Sequence, residues 1–175
     1  LPKTATTSLC DALTMLGYRT IHYPAIFKFE GDDVRLHWPW WMSGYDAMAD
    51  LPAAVLYREL SERFPNARFI LTLRDMESWL RSSEKHFSRE HHEATAAQPQ
   101  FQDAVALYCH KYGRPWFDRE SFVSVYQQHE QEVREYFAGS SRFTAIDFGA
   151  GDGWQELAGF LPRDIPDKPF PKSNE

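Results

Sequence analysis

Leu1-Pro2-Lys3-Thr4-Ala5-Thr6-Thr7-Ser8-Leu9 places a lysine and a run of small hydroxyl residues directly ahead of an apolar helical pattern. Leu9, Ala12, Leu13 and Leu16 follow at i, i+3, i+4 and i+7. That spacing predicts a helix packed on a core, and Gly17 stops it. A loop of small residues entering a helix N-terminus suits an anion, because free backbone N–H groups and the helix dipole both favour negative charge there. Thr6, Thr7 and Ser8 add hydroxyl donors, and Lys3 adds a positive charge. The plain alternative is an ordinary helix cap, for which Thr and Ser are favoured. A Walker A loop, G-x-x-x-x-G-K-[ST], does not fit. Lys3 stands three residues before Thr6, and the stretch holds no glycine.

Outward from this loop, strands and helices alternate. Residues 18–24 read as a short strand ended by Pro24, and residues 45–50 as a second. Between them, residues 27–44 show no clean period and hold Trp38, Trp40 and Trp41 around Pro39, so a long ordered loop is expected. Pro52 suits the first position of a helix reaching Phe64, with Leu56, Leu60 and Phe64 on its apolar face. Residues 67–73 are a buried strand, and residues 76–87 are helical. A polar stretch ends at Pro99, and two helices follow at about 101–112 and 118–138. The second has Phe122, Tyr126, His129, Val133 and Tyr136 on one face. Residues 142–148 are the last strand, residues 153–161 a short helix, and the tail is too rich in proline to be regular. This alternation predicts an α/β fold with a mainly parallel sheet, whose ligands bind outside the carboxyl ends of its strands.

A chain of 175 residues with 43% hydrophobic and 15% aromatic content can build one domain with a sizeable core. The net charge of −6 argues against a nucleic-acid partner, so any anion must be held by a local cluster. Two cysteines, Cys10 and Cys109, form no disulfide framework and suit a reducing, cytoplasmic setting. No apolar run approaches the ~18 residues of a membrane span. No His/Cys/Asp cluster has metal-ligand spacing, so no metal is expected.

The order proline, lysine, variable, small, Thr, Thr in Pro2–Thr7 resembles the 5′-phosphosulfate loop of the sulfotransferases that use 3′-phosphoadenosine-5′-phosphosulfate. Three further stretches carry the same resemblance. An Arg at a strand end with a Ser eight residues later, here Arg74 and Ser82, resembles the family's 3′-phosphate pair. Asp50 before Leu51-Pro52 resembles the acid–base residue of many relatives. The Gly-Trp helix from Gly153 and the Pro-Phe-Pro tail at residues 169–171 resemble a short-chain branch. The likeness runs from Leu1 to Asn174 and is loose over the middle helices.

The resemblance implies a P-loop NTPase-like three-layer α/β/α fold in a single domain over residues 1–175. The family loop follows a buried first strand, so that strand is expected upstream of Leu1. It implies a transferase moving a sulfuryl group to a hydroxyl or amine of a small-molecule or glycan acceptor, with adenosine 3′,5′-bisphosphate as product. Pro2, Lys3, Thr4, Ala5, Thr6, Thr7, Ser8, Arg74 and Ser82 would bind the nucleotide. Lys3 would meet the leaving oxygen, and Asp50, with His22 in reserve, would take the acceptor proton. The sequence departs from the family at Ala5, where glycine is usual. A left-handed backbone there costs ~1–2 kcal/mol, which favours a right-handed loop. The Arg-Lys-Gly cluster of cytosolic members is also absent, with Lys172 a possible substitute. A P-loop kinase or nucleotide hydrolase, and a non-catalytic module keeping the nucleotide pocket, remain open. Neither acceptor identity nor oligomeric state is legible. His129 is expected in the core and His91-His92 in solvent. The tryptophan group is expected either to roof an acceptor pocket or to anchor its own loop.

Overall fold

The computed structural model describes residues 1–96, 98 and 101–173, with only the backbone of residues 91, 95 and 96. The predicted apolar stripe forms α1 (Thr6–Met15), which buries Leu9, Ala12 and Leu13. β1 (Thr20–His22) pairs in parallel with β4 (Ala47–Ala49), with His22 opposite Ala49. β5 (Phe69–Thr72) pairs in parallel with β6 (Phe143–Ile146), with Thr72 opposite Ile146.

Residues 27–44 depart from the expected loop. β2 (Phe27–Glu30) and β3 (Asp33–Leu36) form an antiparallel hairpin, and Trp40–Gly44 is a 3-10 turn. Gly31, at φ 65°, opens the two-residue turn Gly31-Asp32, a left-handed position that glycine takes without steric cost. Phe27, Phe29, Val34 and Leu36 alternate with exposed polar residues, the period of a half-buried ribbon. The strands therefore form three hydrogen-bonded pairs, two parallel and one antiparallel, and no single continuous sheet joins them among the described residues.

The helix expected over 52–64 is interrupted. α2 (Leu51–Val55) and α3 (Tyr57–Arg63) meet at Leu56, whose ψ is 13°. Leu56 and Leu60 pack into the largest core cluster, while Tyr57 turns to a separate cluster with Leu71, Val133 and Phe137. α4 (Met76–His86) and α7 (Arg119–Tyr136) follow the predicted ranges, as does α6 (Gln102–Tyr112). The polar stretch after α4 is helical too. It forms α5 (Arg89–Ala96), with an Arg89–Glu93 ion pair at 2.8 Å. His92 is buried rather than solvated, with its ring 5.7 Å from that of Tyr108. The side chain of His91, and Pro99, lie outside the described residues. α8 (Trp154–Phe160) closes the order, and the tail after it is irregular.

The deepest packing is aromatic. Trp79, Phe87 and Phe122 are almost wholly buried, and Phe122 stacks on Tyr112 at 4.2 Å and 8°. This cluster of α4, α6 and α7 stands directly behind the loop before α1. Among the described residues no helix is long and apolar enough to cross a membrane.

Candidate active site

The carboxyl ends of β1, β4, β5 and β6 lead into His22, Asp50, Leu73-Arg74 and the loop at Gly149, and all of these line one cavity of about 300 Å³. Its floor is the stretch Pro2–Ser8. The register that sets His22 opposite Ala49 carries His22 and Asp50 to the same sheet end, where a parallel sheet gathers its ligands.

Four contacts, three of them buried, shape the loop. The indole Nε1 of Trp79 donates to the Pro2 carbonyl at 2.8 Å. The Thr4 hydroxyl donates to the Leu1 carbonyl at 2.7 Å and meets the Thr72 hydroxyl at 2.5 Å. Arg74 Nη1 donates to the Lys3 carbonyl at 3.0 Å. Under these clamps the backbone is left-handed at Lys3 (φ 67°) and at Ala5 (φ 64°, ψ 31°). The right-handed loop expected for alanine is not adopted. Left-handed turns of this kind turn successive N–H groups into one concavity, and beside the N-terminus of α1 such a concavity, called the cradle below, suits an anion. The strain, of order 1–2 kcal/mol per residue, is held by a site whose surroundings over-determine it.

Arg74 is fixed from behind. The Tyr126 hydroxyl donates to the Arg74 carbonyl at 2.7 Å and accepts from the Arg74 N–H at 3.0 Å. Tyr126 lies 4.7 Å from Trp79, so the aromatic core holds both the loop and the strand end. Ser82, half-buried on α4, is not among the cavity-lining residues.

His22 Nε2 lies 3.1 Å from Asp50 Oδ2 and 3.1 Å from Thr6 Oγ1. A carboxylate has no hydrogen to give, so Nε2 carries the proton in the contact with Asp50. The Asp50 side chain is 11% exposed. Its other oxygen, Oδ1, accepts from the Leu51 N–H at 2.7 Å, so Asp50 caps α2 and faces His22 at once. Its backbone, at φ 89° and ψ −170°, lies in a region that glycine alone favours. Such a conformation costs on the order of 1–3 kcal/mol. The sequence treated Asp50 and His22 as alternatives, and the fold joins them in one pair.

The tail supplies a wall of which sequence reasoning named only Lys172. Phe148, Phe170, Pro171, Lys172 and Ser173 line the cavity, as does His86 from the end of α4. Phe170 stacks on Phe148 at 4.8 Å, and Trp154 Nε1 donates to the Lys168 carbonyl at 2.7 Å. The Ser173 N–H donates to Ser8 Oγ at 3.0 Å, and the Ser173 hydroxyl meets the Asp11 carboxylate. The tail is thus tied across the N-terminus of α1. The signal for it was the Pro-Phe-Pro stretch, which the sequence could match but not place.

Trp38 packs on Phe64 at 4.6 Å and Trp41 on Tyr45 at 6.3 Å, and no tryptophan of that group lines the cavity. Trp38 and Trp41 anchor their own loop, while Trp40 is exposed. His129 is buried, and burial pushes its imidazole pKa down to about 2, as a neutral core histidine requires. Among the described residues no His/Cys/Asp/Glu group could hold a metal ion.

The chain is 27% identical over 144 residues to the "Ava biosynthesis cluster protein M" of Aspergillus versicolor, an alignment covering 73% of this chain and 53% of that protein. The chain therefore spans about half the length of the curated relative it matches. The family model described as a sulfotransferase domain matches residues 1–175. With that match over residues 1–175, the chain belongs to the sulfotransferase domain family.

Proposed function

We propose that this domain transfers a sulfuryl group from 3′-phosphoadenosine-5′-phosphosulfate to a hydroxyl or amine of a small-molecule or glycan acceptor. The observation that carries this reading is the left-handed cradle of Lys3 and Ala5, which faces a cavity also lined by Arg74. A doubly strained loop is retained where its amides have an anion to hold.

When bound, the phosphosulfate supplies a sulfur–oxygen bond that breaks as negative charge gathers on the bridging oxygen. Lys3 neutralises that charge, an interaction stronger in the transition state than in the ground state. Thr6, Thr7, Ser8 and the loop amides hold the 5′-phosphate. Arg74, with its planar fork of donors, takes the 3′-phosphate from the adjoining strand end. Pro2, Thr4 and Ala5 shape the loop. Phe148 and Phe170 offer a stacked aromatic wall for the adenine. Asp50 accepts the acceptor proton directly, or His22 does so with Asp50 stabilising the imidazolium. The acceptor nitrogen or oxygen gains the sulfur bond, and adenosine 3′,5′-bisphosphate leaves.

The test is release of adenosine 3′,5′-bisphosphate from the phosphosulfate, without added Mg2+, against a panel of phenol, primary-alcohol and amine acceptors. Turnover with at least one acceptor is expected, and Lys3→Ala should lower it by about 10²–10³ with little change in nucleotide affinity. Failure with the whole panel, together with Mg2+-dependent hydrolysis of ATP, would favour a kinase or nucleotide hydrolase instead.

A further inference from the structure

His22 Nε2 touches the cradle and the carboxylate at once. Thr6 Oγ1 and Asp50 Oδ2 each lie 3.1 Å from it, and all three residues line the same cavity. An imidazole N–H carries one hydrogen along one direction in the ring plane, so it makes one well-aligned bond at a time. The two oxygens therefore compete for it. A bond to a carboxylate is charge-assisted and roughly twice as strong as a bond to a neutral hydroxyl. Asp50 wins that competition as long as Thr6 is a plain hydroxyl. Oδ1 of Asp50 is meanwhile committed to the Leu51 N–H at 2.7 Å. Oδ2 is thus the oxygen left for an acceptor's proton, and His22 covers it.

Of the three side chains, the imidazole has room to turn. Asp50 is held by its cap contact, and Thr6 is buried at the start of α1. The His22 side chain is 36% exposed. Its backbone is fixed by the pairing with Ala49 and by the Tyr23 N–H, which donates to the Ala49 carbonyl at 2.9 Å. Exchanging one oxygen for the other needs a small ring rotation and no backbone movement.

The Thr6 hydroxyl has one hydrogen and two lone pairs. Once that hydrogen is donated to a phosphate in the cradle, the oxygen is polarised and accepts more strongly, and the chain of bonds ends on a negative charge. Both claimants to the Nε2 hydrogen are then backed by an anion, and Asp50 loses its advantage.

We infer that Thr6 is a positioning residue that acts through His22. With a 5′-phosphate on its hydroxyl, Thr6 draws the Nε2 hydrogen away from Asp50 and uncovers Oδ2 for the acceptor. No proton changes owner in this step, since one hydrogen bond replaces another. The carboxylate is thereby exposed only after the nucleotide is seated, which orders the two substrates. The inference rests on the transfer reading above, from which it takes the phosphate.

Proton–nitrogen correlation spectra of histidine-labelled protein test it, with adenosine 3′,5′-bisphosphate as the probe and the His22 signal assigned by its loss in His22→Gln. The nucleotide should move the Nε2 proton upfield, because the weaker bond to a hydroxyl deshields it less than the charge-assisted bond to a carboxylate. Thr6→Val, which keeps the shape and loses the hydroxyl, should abolish that move, and Thr6→Ser should restore it. Two results would overturn the inference and leave the transfer reading intact. One is a raised melting temperature with the Nε2 proton unmoved, or moved downfield, in the natural chain. The other is an equal upfield move in Thr6→Val, for which the nucleotide's charge alone would then account. No rise in melting temperature at all would overturn the nucleotide reading itself, and the inference with it.

Discussion

The anion cradle and the aromatic core behind it are built on opposite terms. In the cradle, Lys3, Ala5 and Asp50 adopt positive φ without being glycine, and Tyr23, next to His22, does the same. In the core, Trp79, Phe87, Phe122 and Tyr112 sit on or beside regular helices and meet as stacked and edge-on rings. One region holds strain and the other supplies packing. They are coupled by Trp79, which belongs to the core and donates to the Pro2 carbonyl, and by Tyr126, which clamps Arg74. The lesson is a division of labour: residues at the cavity are held in unfavourable conformations by a well-packed layer behind them.

Substitutions in the two regions should therefore separate stability from rate. Phe122→Ala carries the largest expected effect on stability. Phe122 is fully buried, and truncating such a ring costs about 3–5 kcal/mol. Chemical denaturation should show that loss, while the fraction still folded turns over at a near-normal rate. A loss below about 1 kcal/mol would mean that the core does not support the cradle.

Asp50→Asn should do the reverse. Asn caps a helix about as well as Asp, so the Leu51 contact survives and the melting temperature should barely move. Losing the carboxylate that faces His22 should lower the rate by roughly 10²–10⁴. If Asp50→Asn turns over normally while His22→Ala is inactive, His22 is the base and Asp50 is structural.

Ala5→Gly carries the smallest effect. The left-handed penalty of ~1–2 kcal/mol is relieved, and the unfolded chain gains freedom worth ~0.4–1 kcal/mol. The variant should be about 0–1.6 kcal/mol more stable in a urea titration. Destabilisation would mean that the Ala5 methyl makes a contact the loop needs.

The sequence carried the alternation of strands and helices well, because both periods are strong in residues 67–87 and 101–138. It also carried the loop Pro2–Ser8 and the positions of Arg74, Asp50 and His22 at strand ends. The hairpin at Phe27–Leu36 was legible in principle, since its residues alternate strictly about Gly31-Asp32. The tryptophans that follow blurred that period. The backbone of Ala5 was misjudged because local propensity was overruled in a loop held at Pro2 and Lys3 by Trp79 and Arg74, 77 and 71 residues away from them. The tail was beyond reach for the same reason. Its bond to Ser8 joins residues 165 positions apart, and no local pattern encodes it.

Nucleotide preference tests the cradle and its cationic wall most directly. Melting temperature should be measured with adenosine 3′,5′-bisphosphate and with adenosine 5′-phosphate, for the natural chain and for Arg74→Ala and Arg74→Lys. At about 100 times its Kd the bisphosphate should stabilise the natural chain by about 2.7 kcal/mol. It should bind at least about tenfold more tightly than the monophosphate, since hydrogen bonds to a charged group are worth about 1.5–3 kcal/mol. Arg74→Ala should erase that preference, and Arg74→Lys should restore part of it. Equal shifts for both nucleotides in the natural chain, or an undiminished preference in Arg74→Ala, would contradict the assignment of this cavity to a 3′-phosphorylated nucleotide.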